Sequence, residues 1–461
     1  MVQAIQLILA LSFLVLIHEL GHFTFARLFK VRVEKFYMFF NPWFSLVRMK
    51  KFDGKWHFKF FAKNNDEEWA AHPENTEWGI GWLPFGGYCA IGGMVDETHK
   101  SEDLAPEPQP WEFRSKPAWQ RMLIILGGIL VNFVGALIIY WMLLWQYGVD
   151  RLPLRNMTDG LYYSETLLAE GFEQQDKILT INGEEPRELS DAVWKILIEN
   201  KHDVQVLRGD SVVDIHISDE FTDNYFEAQN MYKDKKSFVL MAGWLPCKLD
   251  TVWPDMPAYA AGLKAGDSIV AVAGEPVGCI IQMNQVLQNY PCDTIDVAYY
   301  RAGQADTVRV ILGEECLLGV QGRDFNWDHK SYTFIKAMPA GAKYGWTILA
   351  KYVQQFGLIF SNKEAAKSIG GFGTIGSMFP SSWNWQAFWS MTAFLSIILA
   401  FMNFLPIPAL DGGYVLFLLW EMITRRKPSD RFLEIANKIG FWLLILLLIF
   451  ANGNDIIRLF K

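Results

Sequence analysis

The chain has 461 residues, of which 51% are apolar and 15% aromatic, and a formal net charge of −8. That apolar share is above ordinary usage in a soluble enzyme, and the negative balance offers no basic field for nucleic acid. Five cysteines are too few for a disulfide scaffold, and the length leaves room for roughly two to four domains.

Residues 1–17 carry no charged side chain, yet the run ends in LVLIHELGHFTFAR, with His18, Glu19 and His22. On a helix the i, i+4 spacing projects both imidazoles from one face, which suits two ligands of one Zn²⁺. Glu19 then stands where a general base for water would be needed. With 8 His in the chain, roughly 0.01 chance HExxH matches are expected. The bland alternative is a set of snorkelling residues at the end of a membrane anchor. A secretory signal peptide fits poorly, because there is no basic start and no small-residue cleavage site after the run. A retained transmembrane helix is expected.

Ten Lys and Arg between Arg27 and Lys63 make the next segment basic and therefore cytoplasmic. Within it, SLVRMKKFDGKWHFKFF (45–61) alternates about Asp53-Gly54 and predicts a β-hairpin. EWGIGWLPFGGYCAIGGM (77–94) is apolar but too rich in Gly for a helix. It reads as a re-entrant strand or loop beside the metal, or as a surface loop at the membrane. Residues 122–147 are uncharged and predict a second span. Asn132 inside it is either interhelical glue or a site residue.

Residues 148–330 are soluble in character. PAYAAGLKAGDSIVAVAGEPV (257–277) has the helix, K-A-G-D turn, apolar strand and Gly turn of a PDZ domain, and LLAEGFEQQDKILTINGEEP (167–186) repeats it 91 residues upstream, Asp176 matching Asp267. Gln175 stands where the second copy has Gly266, and Phe172 where it has Leu263. Two tandem PDZ-like α/β domains are expected, split near 220–238, where Asp219, Glu220, Asp223 and Glu227 make a polar linker. Such domains bind extended peptides by sheet addition, or they act here as spacers. Cys247, Cys279, Cys292 and Cys316 fall in the second copy; disulfides and buried thiols both remain open.

Residues 339–367, with Lys343, Lys351, Lys363 and Lys367 beside Tyr344, Ile348, Tyr352 and Ile359, predict an amphipathic helix lying in the membrane interface, or one packed on the second PDZ-like domain. GGFGTIG (370–376) reads as a loop, and a third span begins near Trp385. In NFLPIPALDGG (403–413), Pro406 and Pro408 forbid regular helix, and Asp411 interrupts an apolar run where only a partner makes a carboxylate tolerable. Residues 432–454 give a fourth, marginal span. Four spans put both termini and the PDZ-like pair outside, and the basic segments 27–63 and Arg425, Arg426 and Lys427 inside. His18 then lies about 13 Å of helix before Arg27, inside the membrane towards the cytoplasmic face.

HELGH (18–22) together with N-x-x-P-x-P-x-L-D-G-G (403–413) resembles the site-2 protease family of intramembrane zinc metalloproteases (peptidase M50). The PDZ-like pair, FRSKPAWQRMLIILGGILVNF (113–133) and LPFGGYCAIGG (83–93) resemble its bacterial RseP branch, and GGFGTIG resembles the SGPxGI segment without its Pro. The resemblance covers almost the whole chain. It implies a polytopic α-helical membrane protein of about four transmembrane helices with a membrane-associated β-element. The expected parts are an N-terminal membrane part (1–147), PDZ-like domains (148–235 and 236–330), an amphipathic helix and connecting loop (331–384), and a C-terminal membrane part (385–461). It implies Zn²⁺ held by His18, His22 and Asp411, with Glu19 as the catalytic base. Asn403, Asn132, Gly86, Gly87, Tyr88, Pro406 and Pro408 are expected to hold the substrate. An unwound substrate segment is expected to pair with the edge of the 83–93 strand. The implied activity is hydrolysis within or near transmembrane segments, such as a pre-trimmed anti-sigma factor or remnant signal peptides. The implied place is the bacterial cytoplasmic (inner) membrane, with the PDZ-like domains periplasmic and able to dock peptides. A rival from another class is a catalytically silent PDZ membrane scaffold, against which the intact His18, Glu19, His22 and Asp411 speak; a zinc transporter would need a polar path beyond this one cluster.

Overall fold

The computed structural model describes residues 1–63, 67–84, 86–94, 107–231, 238–361 and 370–459. It divides into two units, Met1–Gly148 with Ser331–Phe356 and Ile369–Lys461, and Val149–Lys330 with Gly357–Ser368.

In the first unit, four helices among the described residues are long and apolar enough to cross a membrane: Val2–Leu28, Ala118–Tyr147, Trp385–Phe404 and Arg431–Ile457. The first is α1 (Val2–Leu28). A five-stranded sheet follows it, β1 (Val33–Met38), β2 (Phe44–Phe52), β3 (Lys55–Lys63), β4 (Glu77–Ile80) and β5 (Tyr88–Ile91), with the short helix α2 (Glu67–Ala70) between β3 and β4. Then comes α3 (Ala118–Tyr147), entered from Pro117 and ended at Gly148, whose φ of 68° suits a helix stop. The strand order is β3-β2-β4-β1-β5. The expected hairpin is β2–β3, turning at Asp53 and Gly54, both at positive φ. The expected 77–94 element is present as β4 and β5; β4 inserts between β1 and β2, and β5 closes the sheet as an edge.

The C-terminal half of this unit holds α4 (Phe334–Ser361), α5 (Phe372–Ser377), α6 (Trp385–Phe404), α7 (Asp411–Thr424) and α8 (Asp430–Leu459). The amphipathic helix packs by one face on the membrane helices. Within Phe334–Phe356, Ile348 and Leu349 of α4 pack on Ala136, Tyr140, Ala393 and Ile397 of α3 and α6, and Tyr352 meets Phe401 edge-on at 5.6 Å. Part of its apolar surface is covered in this way, while Ile335, Met338, Trp346 and Val353 stay exposed. Lys363 and Lys367 lie outside the described residues. The GGFGTIG segment is not a plain loop: its residues 372–376 enter α5, whose first-turn N–H groups donate to Asp455 and Asn452 of α8. A capping carboxylate from 81 to 84 residues away does what a local cap would do.

The second unit contains two similar pieces. One has a three-stranded sheet built on Lys177–Ile181, Asp203–Arg208 and Ser211–His216; the other has a four-stranded sheet built on Glu275–Pro276, Ser268–Val272, Thr294–Arg301 and Gln304–Ile311. The repeat is visible in its polar contacts. Asp176 and Asp267 are each 1% exposed, and each accepts two bonds from an arginine of the neighbouring strand, Arg208 and Arg301 respectively. Arg208 and Arg301 also donate to the carbonyls of Gly171 and Gly262. The Arg301 guanidinium holds the Asp267 carboxyl below the usual carboxylate range. Gln175 adopts φ 73° where Gly266 adopts 94°, and both donate from the backbone to matching carbonyls, Leu161 and Leu249. The altered residue thus keeps the glycine's conformation at some cost in strain.

The division between the pieces is not where the charge pattern placed it. The expected linker is largely helix, Phe221–Met231, with Phe221 in the first core; 232–237 lie outside the described residues. Leu240 and Met241 also belong to the first core, and Met241–Gly243 pairs with Leu161–Tyr163. The first piece therefore extends past residue 235. All five cysteines are free thiols, and burial pushes Cys247 up to about 12, so it is inert as a nucleophile.

Candidate metal centre

The His18 and His22 side chains leave α1 on one face, their rings edge-to-face with centroids 4.8 Å apart. The third group arrives from the far end of the chain. Leu405 is extended after α6, Pro406 and Pro408 prevent the helix from resuming, and α7 starts at Asp411. Gly412 and Gly413 make this break compact: a Cβ on Gly412 would fall 2.1 Å from the Leu405 carbonyl oxygen, and one on Gly413 2.6 Å from that of Ile407. Asp411 thereby sits in the first turn of α7, where the helix dipole favours a carboxylate.

Three atoms converge. Asp411 Oδ2 is 3.2 Å from His18 Nε2 and 3.4 Å from His22 Nε2, and the two Nε2 atoms are 3.2 Å apart. Both histidines are buried. On the far side of the rings, His22 Nδ1–H donates to the Ile124 carbonyl at 3.0 Å. A carbonyl can only accept, so the proton is on Nδ1 and the Nε2 lone pair faces Asp411. The Asn132 amide lies 3.2 Å from His18 Nδ1, while its Oδ1 is a buried atom without a hydrogen-bond partner. Amide oxygen and nitrogen are interchangeable in placement. With Oδ1 turned to His18, it accepts from Nδ1–H, and both rings then present lone pairs.

Three such atoms facing one another at these distances suit a bound cation. Asp411 Oδ2 is itself buried without a hydrogen-bond partner. Tetrahedral Zn²⁺ with bonds of ~2.0 Å spaces its ligand atoms about 3.3 Å apart, which is the triangle found here. Among the described residues, His18, His22 and Asp411 are the group of histidine, cysteine and carboxylate side chains that could hold a metal ion. With these three as ligands a fourth position would be open, as in catalytic rather than structural zinc sites. Glu19 is half-buried on the next residue of α1, close enough for its charge to act on His22.

The wall behind the cluster is backbone of α3. A Cβ on Gly128 would lie 2.5 Å from His22 Nε2 and 2.7 Å from His18 Cε1, and one on Gly21 would lie 2.3 Å from the Gly127 carbonyl oxygen. Small residues let the two helices touch. Gly127, Gly128 and the Ile124 carbonyl were not singled out from the sequence, although a Gly-Gly pair in an apolar span was the available signal.

The other expected site residues are dispersed. Asn132 is fully buried behind His18, with its own carbonyl accepting from Ser396; in this arrangement it faces the histidine rather than a substrate. Asn403 is half-buried near the end of α6, and Pro406 and Pro408 form the break that follows. Gly86 and Gly87 lead into β5; a Cβ on Gly87 would meet Tyr37 O at 2.6 Å and Val15 Cγ1 at 3.0 Å, one turn before His18. Tyr88 stacks on Tyr37 and donates to Asn41.

A membrane-helix scaffold with a buried His-His-Asp cluster beside a Glu defines a metallopeptidase type of centre, and comparison with known proteins agrees. The chain belongs to peptidase family M50, whose family model matches residues 6–62 and 68–447. It is 27% identical to the regulator of sigma-E protease RseP of Escherichia coli and 28% identical to a Neisseria meningitidis protein provisionally named a zinc metalloprotease, in each case over 98% of both chains. A similarly named protein of Ralstonia nicotianae is 24% identical over 100% of this chain and 99% of its own. The protein is thus a membrane metalloprotease.

Proposed function

We propose that this chain is an intramembrane protease of the cytoplasmic membrane, with Zn²⁺ held by His18, His22 and Asp411 and with Glu19 as the general base. The observation that carries the reading is the triangle of three facing acceptor atoms on helices that cross the membrane. When bound, Zn²⁺ supplies Lewis acidity to the attacking water and to the scissile carbonyl. Glu19 takes a proton from the water and returns it to the leaving amine. The Ile124 carbonyl and Asn132 hold the two imidazoles in the tautomer that ligates. Asn403 is the remaining candidate to steady the substrate carbonyl.

A peptide bond within a transmembrane helix is already hydrogen-bonded, so the substrate must unwind before hydrolysis. β5 stands at the sheet edge beside α1, which supports pairing of the unwound segment there. The two pieces of the second unit read as PDZ-like domains on the outer side of the membrane, where they would dock or exclude the extracytoplasmic parts of substrates. The relatives named for sigma-E regulation support a membrane-spanning anti-sigma factor as one substrate class.

The reading is tested with purified protein and a tagged single-span substrate in one bilayer, mapping cut sites by mass spectrometry. Cuts within the apolar segment, stopped by a zinc chelator and restored by Zn²⁺, are expected. Chelator-resistant cleavage, or cuts only in water-exposed flanks, would refute it. Replacing Asn132 by leucine should weaken zinc affinity by about 10- to 100-fold, the usual cost of losing a residue that orients a ligand, measured by competition with a chromophoric chelator.

A further inference from the structure

Arg121 and Glu421 form an ion pair between the two helices that frame the metal centre, at the ends remote from it. Arg121 is in the first turn of α3 and is 6% exposed. Its guanidinium donates to Glu421 of α7 and, through Nε, to the Lys116 carbonyl just before α3. Phe113, Phe417, Leu418 and Leu433 line the cavity beside the pair. Taking two charges out of water is costly, and a buried ion pair adds no more stability than a well-packed apolar pair. Its best attested use is to fix the register of packed elements.

Register is what this site needs. Between the pair and the metal centre, α3 and α7 share one apolar core, to which Ile124, Ile125, Val415 and Leu418 belong. Apolar contacts are non-directional and do not set an axial position. α3 runs from Arg121 to Ile124 and Asn132, whose carbonyl and amide hold His22 and His18. α7 runs the opposite way, from Asp411 to Glu421. The two arms match in length: Arg121 to Asn132 spans about 16.5 Å of helix and Asp411 to Glu421 about 15 Å. The ion pair thus closes the far end of a frame whose near end is the triangle of His18, His22 and Asp411. A slip of α7 by one residue would move Asp411 about 1.5 Å along the axis, several times the roughly 0.2 Å tolerance of a metal–ligand distance.

We propose that Arg121 and Glu421 are positioning residues: they pin α7 against α3 and so set the Asp411 carboxylate level with the two imidazoles. Neither touches the metal or the substrate. They act through Asp411, and the inference rests on the metal site proposed above.

The test measures zinc affinity of the purified full chain by competition with a chromophoric chelator, together with its thermal unfolding. In the double variant Arg121→Met, Glu421→Met both charges go and the apolar packing stays, so unfolding should be little changed. Zinc affinity should nevertheless fall by at least about 10-fold, the lower end of the cost of losing support for a metal ligand. The exchanged pair Arg121→Glu, Glu421→Arg ties the same two helices again and should recover most of that loss. Glu421→Asp keeps the charge and shortens its reach by one methylene; affinity should fall there too, and this variant answers the question if the double methionine chain does not fold. Wild-type affinity in the folded variants, or an exchanged pair no better than the methionine pair, would overturn the positioning role. Asp411→Asn is the reference: a wild type that binds zinc no more tightly than this variant would refute the metal site itself and the positioning role with it.

Discussion

Replacing Gly128 by valine should abolish zinc binding and cleavage together. The added Cβ would lie 2.5 Å from His22 Nε2 and 2.7 Å from His18 Cε1, well inside van der Waals contact. α3 cannot simply retreat, because Ile124 and Asn132 on the same helix hold the two rings from behind. The rings must rotate, and Asp411 then faces no matched pair. The loss in zinc affinity should be at least about 100-fold, the upper end for disturbing ligand support. Valine at Leu130, exposed on the same helix, is the control and should keep both properties. Zinc per chain after gel filtration, with cleavage of a single-span substrate, reads the result. A Gly128→Val protein that retains one zinc per chain would mean that the helices are not in contact here.

Glu19→Gln should separate the two properties that Gly128→Val removes together. The amide has the same shape, and Glu19 is not part of the triangle formed by His18, His22 and Asp411, so zinc should remain. What is lost is a group able to accept the proton of the attacking water. General-base catalysis contributes about 10²–10⁴-fold, and cleavage should fall by that factor at unchanged zinc content. Unchanged cleavage would place the base elsewhere. Loss of zinc as well would make Glu19 a ligand.

How far the sequence led follows from what is local. His18, Glu19 and His22 were legible because a helix turns i, i+4 spacing into one face without help from the rest of the fold. Asp411 was legible because a lone carboxylate in an apolar run has few physical excuses. The Asp53-Gly54 hairpin and the repeat marked by Asp176 and Asp267 were legible for the same reason, as turn and strand chemistry recur at short range. Features that depend on two distant segments meeting were hidden. Gly128 matters only because α1 crosses α3 at Gly21, more than a hundred residues away. Asn132 could be read as glue or as site, and its approach to His18 comes only with the crossing of α1 and α3. An amphipathic stripe on 334–356 looks the same whether membrane interface or membrane helices cover it. The GGFGTIG segment starts a helix because Asp455 caps it. The boundary between the repeats moved because Leu240 and Met241 complete a core begun 80 residues earlier.

The most direct measurement is X-ray absorption at the zinc edge on the purified full chain, compared with Asp411→Asn. One zinc per chain is predicted, with two imidazole nitrogens and a carboxylate oxygen at about 2.0–2.2 Å and no sulfur, and the carboxylate contribution should vanish in the variant. A sulfur shell, an unaltered spectrum in Asp411→Asn, or a zinc-free chain that still cleaves would contradict the His18–His22–Asp411 centre.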